Sequence, residues 1–274
     1  FRSMKEDLYV LDGGIGKNIC FTSCLSELNN ITIMSSWPQV LANHPNVNFV
    51  YDYDLYPWKD NTVFLNKFNN VHIIDAYNSF FFKNKIHLVN SFRSLLGLEM
   101  IDSLYSEIYF TDEEDKNMQP LLHQLQNFVM VQFIGGDESH LQTDFIGSRS
   151  LNKKQSQEII NILNFDLKLN VLNVFSFKDF FENTCKIDIN LNYINYAYLI
   201  KHAKGFIGID SSLNHMSSNK FCQTEGVVLW NDDNVKERFC YNKNINLTTN
   251  TPKTMRFDVN TVIDNFKKVM DKKQ

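Results

Sequence analysis

Short continuous apolar runs take turns along the chain with stretches whose apolar positions recur at helical spacing. Asp7-Leu8-Tyr9-Val10-Leu11 is a run of the first kind. Asp12-Gly13-Gly14-Ile15-Gly16-Lys17-Asn18 follows it as a glycine-rich turn, opening a helix through Ile19, Cys20, Cys24 and Leu25. A run of four to eight apolar residues bounded by turn signals reads as a strand covered on both faces, so these residues predict a βα unit. The pattern continues with a strand over 31–34, a short helix over 38–44, strands over 47–51 and 71–74, and a helix over 89–98. The aromatic segment 77–82 reads as core, since bulky rings mainly supply buried area. Residues 108–110 are read as closing this half.

A second series begins at 128–134, an apolar run ending in Gly135-Gly136-Asp137-Glu138-Ser139-His140. After a loop carrying Thr143, Ser148, Arg149 and Ser150, the spacing predicts helices over 153–163 and 193–202 and strands over 171–175 and 227–230. Between the second helix and the last strand lies Gly205 to Ser218, GFIGIDSSLNHMSS, where a buried strand stops abruptly in an acid, hydroxyls and a histidine. A final helix over 259–270 places Val259, Val262, Ile263, Phe266 and Val269 on one face. Strands alternating with helices predict parallel sheets. The polar stretch 111–119 ahead of Pro120 marks the expected junction, giving an N-terminal domain over 4–119, a C-terminal domain over 120–256 and a terminal helix over 257–274. Phe1-Arg2-Ser3, ahead of Met4, is left out of the fold reasoning.

Composition narrows the class. The 274 residues suffice for one large or two modest cores. No apolar run reaches the roughly 18 to 20 residues of a membrane span and no signal-peptide pattern is present, so the expectation is a soluble, cytoplasmic protein. Five scattered cysteines lack the paired spacing of a zinc site, which predicts reduced thiols. A formal net charge of −4 gives no global attraction to nucleic acid or anionic membrane.

In open α/β sheets ligands sit at the carboxyl ends of the strands, and polar residues gather there at three places. Glycines in the Asp12–Lys17 turn permit close backbone approach, and a helix amino terminus favours anionic groups. The spacing matches neither GxGxxG nor GxxxxGK[ST]. Gly135 to His140 follow the fifth predicted strand. At Asp210 two readings stay open: Asp210 or Ser211 caps a helix and His215 is a satisfied core histidine, or the three belong to a site.

Three segments carry a family resemblance: Gly13-Gly14-Ile15-Gly16 with its helix; 128–136 with 149–163; and 200–228, IKHAKGFIGIDSSLNHMSSNKFCQTEGVV, in which a His stands five residues after the Asp of an aliphatic-Gly-aliphatic-Asp-hydroxyl pattern. With them the chain resembles the heptosyltransferase-like family nine glycosyltransferases. The resemblance implies a GT-B architecture, two Rossmann-like domains facing across a cleft, with acceptor on the amino half, donor on the carboxyl half and a final helix that crosses back to the first domain. It implies inverting transfer of a sugar from a nucleotide-diphosphate donor, usually without a metal; no His/Asp/Glu cluster has ligand spacing, and no cofactor beyond the donor substrate is expected.

On this resemblance the expected catalytic residues are Asp210, His215 and Asp12, and the expected donor-binding residues Gly135, Gly136, Ser139, Arg149, Ser150, Ser211 and Ser212. Gly13, Gly14, Gly16 and Lys17 form the glycine turn. Family members usually carry Asp at the place of Lys17, as candidate base for the acceptor hydroxyl; Asp12, Asp137 and Glu138 are the acids left beside strand ends. Ser212 stands where glycine is common, and the chain is shorter than typical heptosyltransferases. The acceptor implied is a saccharide such as a lipopolysaccharide or surface-glycan core. Two alternatives stand beside it: a viral transferase that decorates hydroxymethylated DNA bases in a host cytoplasm, which requires a flipped base and a local basic face, and a non-catalytic nucleotide-sugar-binding module. Only the DNA reading brings in nucleic acid as a partner, and the oligomeric state is left open.

Overall fold

A computed structural model describes residues 6–56, 58–59, 61–135, 149–174, 181–187, 190–249 and 255–272. It falls into two compact units: residues 1–111 with 219–221, and 112–218 with 222–274.

In the first unit, β1 (Asp7–Leu11), α1 (Ile15–Phe21), β2 (Ile31–Ser35), β3 (Val47–Asp52), α2 (Thr62–Leu65), β4 (Val71–Ile73), α3 (Ser79–Asn84) and α4 (Leu88–Leu95) follow in chain order. The four strands form a wholly parallel sheet in the order β3-β2-β1-β4. β2, flanked on both sides, is buried throughout, which is why it reads as an unbroken apolar run. The edge strand β4 leaves Val71 and Ile73 exposed. A core of Leu8, Val10, Met34, Trp58 and Phe64 packs on the sheet.

The second unit contains α5 (Asp112–Leu125), β5 (Phe128–Gln132), α6 (Lys153–Asn161), β6 (Asn170–Asn173), α7 (Tyr193–His202), β7 (Phe206–Ile209), α8 (Ser212–Ser217), β8 (Gly226–Trp230), α9 (Asp233–Phe239), β9 (Ile245–Thr248) and α10 (Val259–Asp271). Its five strands are again all parallel, ordered β6-β5-β7-β8-β9. The amphipathic α10 buries Val259, Val262, Ile263, Phe266 and Val269 in the same core as Val129, Val131, Ile207, Val227 and Leu229.

Both orders contain one place where consecutive strands are laid down on opposite sides of a starting strand. In the first sheet it lies between β1 and β4, in the second between β5 and β7. Such switch points open a crevice at the strands' carboxyl ends, so topology alone marks the residues after β1, β4, β5 and β7.

Several expectations are revised. Most of the polar stretch 111–119 is helical and forms the first part of α5, which begins at Asp112. Its acidic first turn suits the positive end of a helix, and Met118, Leu121 and Leu125 are buried while Tyr198 of α7 donates to Asp115. Of the three consecutive phenylalanines only Phe81 is buried; Phe80 and Phe82 are exposed, because a single turn of α3 cannot turn three successive side chains inward. Residues 108–110 form no strand: Ile108 instead exchanges backbone bonds with the Asn219 side chain. The expected helix over 38–44 shrinks to a 3-10 turn, Pro38–Val40.

Candidate functional site

The second unit gathers its polar groups at the β5/β7 switch point. β7 ends at Ile209, Asp210 follows, and α8 starts two residues later. Neither Asp210 nor Ser211 caps that helix with its side chain. The cap comes from Gln132, the buried last residue of β5, whose Oε1 accepts from the Leu213 N–H (3.1 Å) and from the Ser211 hydroxyl (2.7 Å). Gln132 thereby satisfies an amide at the start of α8 and ties the ends of adjacent strands together. No motif announced it; the only sequence signal was a lone amide interrupting an apolar run.

Asp210 is the charged member of the cluster, with its side chain 13% exposed. Burial pushes its carboxyl pKa above the usual range, against the pull of the Arg149 guanidinium, whose Nη1 lies 3.8 Å from Oδ2. Arg149 is half exposed, so it offers Asp210 a counter-charge while keeping donors toward solvent. Next to it, the buried Ser150 hydroxyl accepts from the Gly135 N–H at 3.0 Å and lies 3.3 Å from Gly135 O. A Cβ on Gly135 would stand 3.0 Å from Ile209 Cδ1 and 3.7 Å from Arg149 Cβ, so the glycine lets the chain pass close to both. Ser212 is buried in the first turn of α8. Gly136, Ser139, Asp137 and Glu138 lie outside the described residues.

His215 is drawn inward, 4% exposed, with Nδ1 2.9 Å from the buried Tyr241 hydroxyl and its ring set edge-on to Phe239 and Tyr241. Burial drives its pKa down to about 4. The imidazole is therefore neutral at pH 7, and its placement is that of a core histidine at the root of α8.

The first unit has a separate cluster at the β1/β4 switch point. Gly13 takes φ +88°, a conformation that favours glycine, and a Cβ there would lie 3.3 Å from Lys17 Cδ. Through that gap Lys17, 6% exposed, folds back beneath the turn. Its ammonium lies 3.0 Å from Asp12 Oδ1, 3.4 Å from Asp75 Oδ1 and 5.6 Å from the centre of the Tyr77 ring. Both carboxylates are open to solvent, at 59% and 64% exposure. Around the turn, the Trp37 indole donates to Gly13 O, and Asn18 bridges Gly14 O to the Ser35 hydroxyl. Gly14 opens α1 without a side-chain cap, and Gly16 lies within that helix. Asp75 stood outside every motif. It was hidden because it follows the short edge strand β4 and owes its place to pairing with β1.

Among the described residues no three His, Cys, Asp or Glu side chains converge as metal ligands, and no helix is long and apolar enough to cross a membrane. The five cysteines are free thiols.

Two parallel α/β units with polar clusters at their switch points are the architecture of GT-B glycosyltransferases. Among solved structures the chain is similar in fold to the glycosyl transferase family 9 protein from Veillonella parvula, with a TM-score of 0.69 and 11% identity over 98% of each chain. It is also similar to the E. coli heptosyltransferase WaaC with ADP, with a TM-score of 0.64 and 10% identity over 96% of this chain and 99% of that one. The E. coli ADP-heptose LPS heptosyltransferase II gives a TM-score of 0.64 and 11% identity over 98% and 99%. No protein-family model matches the sequence, and no curated protein matches it. The fold is thus that of the family nine heptosyltransferases, reached by a sequence far from theirs.

Proposed function

We propose that the chain is an inverting glycosyltransferase that takes a nucleotide-diphosphate sugar and transfers the sugar to a hydroxyl of a saccharide acceptor, such as a lipopolysaccharide or surface-glycan core. The observation that carries this reading is the Asp210–Arg149 pair beside Gly135 and Ser150 at the β5/β7 switch point. It occurs on a fold shared with structures described as holding ADP and an ADP-heptose analogue. The donor is accordingly expected to be an ADP-sugar, bound without a metal. The free thiols support a reducing, cytoplasmic setting.

Transfer with inversion needs a base for the acceptor proton and stabilisation of the departing diphosphate. Arg149, with donors open to solvent, meets the diphosphate charge, together with the backbone at Gly135. Asp210 orients Arg149 and accepts sugar hydroxyls. Ser211 and Ser212 serve the site indirectly, since the Ser211 hydroxyl is committed to Gln132 and Ser212 is buried. His215 serves as a positioning residue, rooting α8 on Tyr241.

Donor-dependent release of the nucleotide, a nucleoside diphosphate from ADP-, UDP- and GDP-sugars and CMP from CMP-sugars, in the presence of mono- and oligosaccharide acceptors, tests the assignment. ADP-sugar turnover is expected, falling at least a hundredfold in Arg149→Ala, the scale set by losing one transition-state charge partner. Tight donor binding with no turnover would establish a binding module instead.

A further inference from the structure

Lys17 occupies the place where the resembling family carries an acid, and the first unit has arranged its charges around that change. Resting on the transferase reading above, we infer that Asp75 is the general base that takes the proton of the acceptor hydroxyl, with Lys17 as its positioning cation and Asp12 as the counter-ion of Lys17.

The three residues together carry a net charge of −1, the charge that a single acid at position 17 would supply. A nearly buried ammonium requires compensation, and it finds two carboxylates at the carboxyl ends of adjacent parallel strands. These are not equivalent. Asp12 is the nearer partner, at 3.0 Å, and no backbone amide fixes it among the described residues. Asp75 stands farther off at 3.4 Å and is oriented by the Tyr77 N–H, 3.1 Å from the same Oδ1. With both bonds on Oδ1, Oδ2 of Asp75 has no protein partner among the described residues. A base needs that combination: a carboxylate held in direction, only loosely ion-paired, and open to its substrate. Tyr77 adds a partly exposed ring beside it, a surface on which the apolar face of a sugar can lie.

The step balances without further reagents. The acceptor oxygen bonds to the anomeric carbon, the bond from that carbon to the diphosphate oxygen breaks with its electron pair leaving on the diphosphate, and the acceptor proton passes to Asp75 Oδ2. Asp75→Asn keeps the Tyr77 contact and the side-chain volume while removing the proton acceptor.

The test compares wild type with Asp75→Asn, Asp75→Glu, Asp12→Asn, Lys17→Met and Lys17→Arg. It reads ADP-sugar binding by calorimetry, and turnover both to saccharide acceptors and to water. Asp75→Asn is expected to bind donor as wild type does while losing about 10²- to 10⁴-fold in kcat, the usual worth of a general base. Asp75→Glu should recover part of the loss, and Asp12→Asn should stay within about tenfold. Lys17→Met should lower kcat without changing donor affinity, with rescue by Lys17→Arg. Turnover by Asp75→Asn within tenfold of wild type would overturn the assignment, and so would a wild type that binds donor yet turns over neither to acceptor nor to water. A wild type that binds no donor would instead remove the transferase reading itself.

Discussion

His215 and Glu107 illustrate how burial sets the chemistry of single residues in opposite ways. His215 has its pKa lowered to about 4 by desolvation. A base whose folded pKa lies below its unfolded value binds fewer protons in the native state, so its penalty grows as pH falls from about 6.5 to about 4. That amounts to on the order of 3 kcal/mol by pH 4. Glu107 is equally buried, and burial alone would raise its pKa. Hydrogen bonds from His44 and Ser26 and the Lys220 ammonium at 2.9 Å reverse this, holding it down at about 2. Its stabilisation is complete above about pH 4.5 and is lost as pH falls toward 2. The two windows barely overlap. In urea unfolding from pH 7 to 4, His215→Gln, which keeps a partner for Tyr241, is expected to flatten the pH dependence relative to wild type, whereas Glu107→Gln keeps the wild-type slope in that range. Parallel curves for His215→Gln and wild type would show that the buried imidazole does not govern this window.

At the scale of elements, the strand that carries Asp210 is seated by glycines that make room for rings. A Cβ on Gly226, which begins β8, would lie 2.3 Å from the Phe206 ring of β7 and 2.5 Å from its carbonyl oxygen. A Cβ on Gly205, just ahead of β7, would meet Phe266 of α10 at 2.8 Å. β7 is thus wedged between β8 and the terminal helix, and the direction in which it presents Asp210 depends on both. Gly226→Ala is expected to destabilise the protein by about 1 to 3 kcal/mol or more, since backbone as well as ring must move. Gly205→Ala should cost less, because Phe266 can shift. Chemical denaturation measures both, and equal midpoints for wild type and Gly226→Ala would refute the wedge. Little of this was readable in advance. The apolar runs of β1, β2, β5, β7 and β8 announced themselves because strands buried on both faces carry no polar alternation. The short α2 and α3, the half-exposed β9 and the polar α9 left too weak a period, and the helical character of α5 went unread because only three of its residues are buried.

For the molecule as a whole, the sequence made two βαβ series plain and kept their strand orders hidden, and the strand orders are what locate the clusters. The Asp210 stretch was legible because a strand, an acid, hydroxyls and a histidine stood in one short segment, yet its histidine turned inward and its cap came from Gln132, nearly eighty residues earlier. Asp75 could not be read at all, because only the parallel pairing of β4 with β1 brings it to Lys17. Exposed rings concentrate in the first unit, among them Phe49, Tyr56, Tyr77, Phe80 and Phe82, and of these Tyr77, Phe80 and Phe82 fall in the 77–82 segment that reads as core in the sequence.

The central claim is that the β5/β7 switch point of the second unit binds a nucleotide-diphosphate sugar, and donor-induced stabilisation tests it most directly. Melting of wild type, Asp210→Asn and Arg149→Ala is followed with ADP-heptose and with UDP-, GDP- and CMP-sugars. At about a hundred times Kd the ADP-sugar should add about 3 kcal/mol to wild type, several degrees in Tm. Asp210→Asn should melt no lower than wild type without donor, since a buried carboxylate is removed, and both variants should lose most of the donor shift. A wild type that no nucleotide sugar stabilises, or a shift that survives both substitutions unchanged, would contradict the account.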